Sequence, residues 1–154
     1  MSEENVEVAR RFYAIGNEMY ERIDAYHEAQ ESGDFSQLLP LAEQMLDADV
    51  VLRPPEDSPF PEAGTREWRG REEFIRFIVG QTEGFETMRL KTEDFIDAGE
   101  KVVVPIEFGG VARHSGIEVT FAVVQVLTIR AGKVTALDIY TTKEQALEAA
   151  GLPE

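Results

Sequence analysis

The chain has 154 residues, 43% of them hydrophobic, and its 15 basic and 30 acidic side chains leave a formal charge of −15. That length and composition suit one globular domain over 1–154, and the charge sets the surface against phosphate backbones and anionic membranes. Without a single Cys it can form neither a disulfide nor a thiolate metal site.

The first third reads as helix. Val8, Phe12, Ile15, Met19, Ile23 and Tyr26 recur at three- and four-residue steps, predicting one long amphipathic helix that stops at Ser32-Gly33-Asp34. Phe35, Leu38, Leu39, Ala42, Met45 and Leu46 form a second stripe, and Pro40 either breaks that element or begins it. A short extended segment, Asp49 to Arg53, runs into a loop forced by Pro54, Pro55, Pro59 and Pro61. A third helix follows Arg69-Gly70, with Phe74, Phe77 and Ile78 on one face, and ends at Gly80 and Gly84.

Four strands come next, over 88–96, 101–113, 117–130 and 133–142. Short Gly-bearing turns separate them, which is the signature of antiparallel hairpins. A last helix covers 143–150, closed by Gly151 and Pro153. Helices first and a strand meander afterwards predict an α+β fold, with helices on one face of an antiparallel sheet.

Alternation sorts the strand side chains. In the second strand Val104, Ile106 and Phe108 should face inward, with Lys101, Pro105, Glu107 and Arg113 outward. In the third strand Phe121, Val123, Gln125, Leu127 and Ile129 take the core side. In the fourth, Leu137 and Ile139 go inward, and Asp138 and Tyr140 outward. Gln125 is then the polar residue of an apolar row. Either backbone or an ordered water satisfies its amide, or a ligand does, because an unpaired buried amide costs about 1–3 kcal/mol.

The opening Asn5-Val6-Glu7-Val8-Ala9-Arg10-Arg11-Phe12-Tyr13 resembles the first helix of SnoaL-like proteins, in the nuclear transport factor 2-like superfamily. Asp47-Ala48-Asp49-Val50, Trp68-Arg69-Gly70-Arg71-Glu72, Ile96-Asp97-Ala98-Gly99-Glu100 and Arg130-Ala131-Gly132-Lys133-Val134 resemble it too, as do Tyr140 and the closing 144–151. The resemblance implies a cone, a strongly curved sheet closed by helices around a ligand-sized apolar pocket. Members include steroid isomerases, polyketide cyclases, epoxide hydrolases and binding proteins. Carried onto this chain, the isomerases' catalytic Tyr falls at Phe12, their carboxylate base near Arg53 and their second acid at Gln125. Only the last keeps a hydrogen-bond donor, so no efficient steroid isomerisation is expected.

The expected ligand-binding set is Phe12, Arg53, Trp68, Phe108, Phe121, Gln125 and Ile139, around a small apolar molecule. Arg53 either binds a ligand carboxylate or pairs with Glu56 or Asp57, and Trp68 lines the mouth or caps the core. Glu107 and Asp138 read as outer-face charges, His27 and His114 as solvated. Ser58 and Ser115 have no neighbouring base, so no nucleophile stands out. The two His residues form no HxxxH pattern, there is no DxDxG motif, and Arg66, Arg69 and Arg71 are interleaved with Glu67, Glu72 and Glu73. Neither a metal, a cofactor nor a nucleic-acid partner is therefore expected. The acidic Met1-Ser2-Glu3-Glu4 start lacks the features of a signal peptide, and no apolar run reaches the ~18–20 residues of a membrane helix. A cytoplasmic location and no membrane association are the expectation.

Two function classes remain open: a small-molecule binding protein, or an isomerase, cyclase or hydrolase acting on an apolar substrate. Thr120, Ala122, Val124, Val126 and Thr128 put no charge on the outer face of the third strand, and Tyr140 adjoins them. Such a patch predicts a homodimer through that face, or else the last helix of the same chain folds back over it.

Overall fold

The computed structural model describes residues 2–55 and 67–152. Met1, Glu154 and the segment 56–66 lie outside the described residues, so the expectations placed on Glu56, Asp57, Ser58, Pro59, Pro61, Arg66 and Pro153 fall there too. The elements are α1 (Ser2–Tyr20), α2 (Ile23–Ser32), α3 (Leu39–Met45), β1 (Leu46–Arg53), β2 (Trp68–Arg69), α4 (Gly70–Thr82) and β3 (Phe85–Thr92). Then follow β4 (Ile96–Ala98), β5 (Lys101–Ala112), β6 (Glu118–Arg130), β7 (Lys133–Tyr140) and α5 (Lys143–Ala149).

The fold is α+β, as expected, but its sheet is mixed. The seven strands run in the order β2-β1-β7-β6-β5-β3, with β4 beside β5. β5/β6 and β6/β7 are the antiparallel hairpins that the turn residues announce, with Gly116 (φ 70°) and Gly132 (φ 77°) supplying left-handed backbone at their turns. β1 pairs with β7 in parallel, which no local turn could reveal. A parallel pair needs a long crossover, and everything between β1 and β7 provides it.

Three boundaries differ from the sequence reading, each for a local reason. The long first helix is two helices, broken at Glu21–Arg22, where the Arg22 N–H bonds the Met19 carbonyl at 2.9 Å. Six residues apart on one straight helix, at about 100° per residue, Tyr20 and Tyr26 would point to different sides. After the break both are buried, with ring centroids 6.0 Å apart. Pro40 sits in the first turn of α3, where its missing N–H costs nothing. The expected 88–96 strand is two pieces that meet opposite Pro105. The Glu93 N–H reaches the Pro105 carbonyl at 3.1 Å, but Pro105 has no N–H to return, and the ladder stops there.

Helices α1 to α4 pack on the concave face, whose core is the inward row Val102, Val104, Ile106 and Phe108 with Leu127 and Ile129. The edge strand β3 is pinned to α1 by a single side chain. Asn17 Nδ2 donates to the Leu90 carbonyl at 2.8 Å, and the Leu90 N–H donates to Asn17 Oδ1 at 2.9 Å. This occupies backbone groups that an open sheet edge would offer to another chain.

The convex face is not bare. Val103, Val124 and Val126 form a second cluster with Ala146 and Leu147 of α5. The helix is started by Thr142, whose hydroxyl accepts from the Gln145 N–H at 3.2 Å. Of the two coverings foreseen for the Val124–Val126 patch, the chain's own last helix takes that part, because Ala146 is small enough to approach the sheet closely. Thr120 and Ala122 stay exposed beyond it.

Gly110 lies where β3 crosses β5 most closely. A Cβ there would collide with the Thr87 carbonyl oxygen and lie 2.9 Å from Phe85 Cδ1. Replacing Gly110 with Ala should therefore cost about 1–3 kcal/mol. Chemical denaturation checks this, and a wild-type midpoint would refute the crowding.

Candidate functional site

An otherwise apolar cavity of about 90 Å³ lies between the helices and the concave face. Its floor is β6 and β5, through Gln125 and Phe108, and its roof is α1, α3 and α4. Inside it Tyr13 Oη donates a 2.7 Å hydrogen bond to Gln125 Oε1, and both residues are buried. Among the described residues no other group hydrogen-bonds the Gln125 side chain, so its Nε2 donors are left for whatever enters.

Tyr13 is the residue that sequence reasoning missed. The stripe Val8, Phe12, Ile15 and Met19 is only half-buried. A second row with the same period, Ala9, Tyr13, Gly16 and Tyr20, supplies the buried Ala9, Tyr13 and Tyr20. Both rows satisfy a helical repeat, and the more apolar one was the natural choice. Tyr13, next to Phe12 in the chain, is the residue of this helix whose hydroxyl reaches Gln125. Phe12 still lines the cavity, with its ring edge-on to Tyr13 at 5.1 Å.

Tyr20 and Tyr26 also line the cavity. Burial raises the pKa of Tyr13 well above the ordinary phenol value, with the neighbouring Tyr20 adding to the shift. Burial does the same for Tyr20 and Tyr26. All three phenols are neutral donors at neutral pH, and none can serve as a base. No carboxylate and no His lines this cavity among the described residues.

A second, larger cavity of about 410 Å³ opens between α4, β3 and β6. Trp68, Phe77, Phe85, Met88 and Phe121 form its apolar wall, with Arg76, Glu83 and His114 also around it. Trp68 packs on Phe77, with ring centroids 5.4 Å apart.

The expected site set is therefore divided. Phe12, Phe108 and Gln125 meet in the inner cavity, while Trp68 and Phe121 meet in the outer one. Ile139 is buried in the core as the cross-strand neighbour of Gln125, outside both linings. Arg53 lies on the convex side, since Val50 and Leu52 of the same strand are the inward, fully buried residues. Its Nη1 bonds Asp138 Oδ1 at 3.0 Å and its Nε bonds Glu67 Oε1 at 3.2 Å. Glu67 also pairs with Arg69. Partial burial opposes the Arg53 charge, but hydrogen bonds to Asp138 and Glu67 outweigh it and leave its pKa raised. Arg53 is thus a tie between β1 and β7. Asp138 faces outward as its parity required. His27 is half-buried rather than solvated, its Nε2 3.1 Å from the Thr82 carbonyl oxygen. No group of three or more His, Asp or Glu able to hold a metal ion occurs among the described residues, and none of their helices is long and apolar enough to cross a membrane.

A SnoaL-like domain family model matches residues 23–137. No curated protein matches the chain. Among solved structures, an NTF2-like protein from Anabaena variabilis is 16% identical, with 94% of each chain covered and a TM-score of 0.64. A putative SnoaL-like polyketide cyclase from Jannaschia sp. is 20% identical over 75% of this chain and 79% of its own, with a TM-score of 0.55. TerC, co-crystallized with polyporic acid, is 24% identical over 85% of this chain and 96% of its own, with a TM-score of 0.56. These likenesses establish the fold.

The Tyr13–Gln125 pair makes a clean thermodynamic cycle. Tyr13→Phe and Gln125→Leu should each cost about 1–3 kcal/mol, because each strands a buried polar partner. The double variant should lose well less than the sum of the two, since it leaves neither partner stranded. Urea denaturation of the four proteins measures the coupling, and strict additivity would mean the two side chains do not interact.

Proposed function

The chain belongs to the SnoaL-like family, and from that premise we propose that it binds a small, largely apolar molecule in its cone. The ligand's carbonyl or hydroxyl oxygen meets the donors of Gln125. The observation that carries this reading is a buried amide, hydrogen-bonded once by Tyr13, in an otherwise apolar cavity. The amide N–H groups have no protein partner among the described residues and can meet an acceptor on a ligand. Neutral donors with no charged group beside them select a neutral oxygen over a carboxylate or a phosphate. Co-crystallization of TerC with polyporic acid is in keeping with a cone of this fold that admits small molecules.

The second reading is an isomerase, cyclase or epoxide hydrolase-type enzyme. One observation favours it: Gln125, its oxygen held by the Tyr13 hydroxyl, keeps its N–H donors in an apolar cavity, as a developing oxyanion requires. Proton abstraction also needs a base, and the inner lining offers none. Binding without turnover is the better supported of the two.

Calorimetric titration with cyclohexenone tests the reading. Wild-type protein should bind it, and Gln125→Leu should weaken binding by about tenfold, the loss of one good hydrogen bond. A β,γ-unsaturated ketosteroid should not be turned over. Binding indifferent to Gln125 would defeat the binding reading, and turnover abolished by Gln125→Leu would establish the enzyme.

The homodimer keeps a place in this proposal through the part of the convex face beyond α5, around Thr120, Ala122 and the half-buried Glu107. Sedimentation should show twice 17.3 kDa for wild type and a monomer for Ala122→Arg, since a charge placed on a two-fold interface meets its own copy. A wild-type monomer at micromolar concentration removes the dimer.

A further inference from the structure

The two cavities lie in line along the same inward rows of the sheet. On β3 Met88 faces the outer cavity and Leu90 the inner. On β6 Phe121 faces the outer and Gln125 the inner. Helix α4 is a shared wall, giving Phe74 to one and Phe77 to the other. Between them stand Phe108 and Phe121, cross-strand partners whose rings stack with centroids 5.1 Å apart and planes 26° apart. Phe108 belongs to the inner lining and Phe121 to the outer, so this pair is the partition.

Donors and room are in different compartments. The inner cavity holds Gln125 but only about 90 Å³, against the 300–1,000 Å³ or so of cavities that bury a drug-sized ligand. The outer cavity has about 410 Å³ and an aromatic wall, but it lies on the far side of the stack from Gln125. We infer that the Phe108–Phe121 stack is a length-selecting gate, and that the full site is the two cavities joined when Phe121 swings aside. Phe121, packed against the core but the less buried of the two, is the moving member, and Phe108 is buried with Tyr20 against its edge at 6.5 Å. Four residues of strand separate Gln125 from Phe121, about 13 Å at ~3.3 Å each. A ligand that uses both compartments is therefore a flat, elongated, neutral hydrophobe with an oxygen at its inner end. Its outer end lies against Trp68. A molecule of one ring occupies the inner cavity and leaves the gate shut.

This inference rests on the proposed binding at Gln125, and Trp68, the chain's single tryptophan, reports separately on the outer compartment. Cyclohexenone and the linear three-ring ketone tetrahydroanthracenone, its carbonyl on a terminal ring, are titrated by calorimetry and Trp68 fluorescence. Both should bind one per chain and weaken in Gln125→Leu, and only the three-ring ketone should change Trp68 emission. Phe121→Ala removes the stacking that the long ligand has to displace. It should raise the affinity for tetrahydroanthracenone relative to that for cyclohexenone by about tenfold. Phe121→Leu, a milder change, should move that affinity ratio in the same direction if the alanine variant fails to fold. A three-ring ketone that perturbs Trp68 but ignores Gln125→Leu, or that is unmoved by both Phe121 variants, overturns the gate while cyclohexenone binding still upholds the Gln125 site. Loss of Gln125 dependence for both ketones brings down gate and site together.

Discussion

The hydrogen bond from Tyr13 to Gln125 is the constraint around which the interior is arranged. An amide on the concave face of an apolar sheet must find a partner, because an unpaired one costs about 1–3 kcal/mol. Tyr13 supplies it from α1, 112 residues away in the chain. That fixes how α1 lies across the sheet, and Asn17, one turn further on, ties the same helix to the edge strand through both backbone groups of Leu90. The helix is held by polar contacts at specific points, and the apolar side chains between them need not fill every space. The inner cavity is what remains.

Each face of the sheet is covered in its own way. The concave side carries four helices and the larger core, and the convex side carries α5 over Val103, Val124 and Val126. Charge follows the same division. Arg53, Asp138 and Glu67 form their cluster on the convex side, where water still reaches them, and ion pairs at such sites contribute modestly. The inner cavity, by contrast, is bounded by neutral groups whose phenols burial keeps protonated. Among the described residues, the lining of this cavity carries uncharged donors and no charged side chain, in a protein of net charge −15. The proposed choice of a neutral oxygen as ligand group rests on that contrast.

Much was legible in the sequence because it depends on neighbours along the chain. Alternation in 101–130 assigned Val104, Ile106, Phe108, Leu127 and Ile129 to the core and turned Gln125 inward, and Gly-bearing turns announced the hairpins. A period of two has only two phases, so one long strand settles the whole face. The helical stripe was less decisive. Rows through Phe12 and through Tyr13 have the same period, and only the position of Gln125 across the fold decides which one is buried.

Local pattern was enough for the α+β class, for helices preceding the strand meander, for the inward row of each hairpin strand and for the amide in that row. Each of these follows from spacing within about twenty residues. Only the tertiary structure decided that β1 lies parallel to β7, that α5 covers Val126, that Tyr13 answers Gln125, and that Arg53 closes on Asp138 and Glu67 instead of the cavity. It also put Phe12, Phe108 and Gln125 along one cavity and Trp68 and Phe121 along another. These are pairings between distant segments. A local pattern states which side of an element is apolar, but it carries no record of what that side will meet.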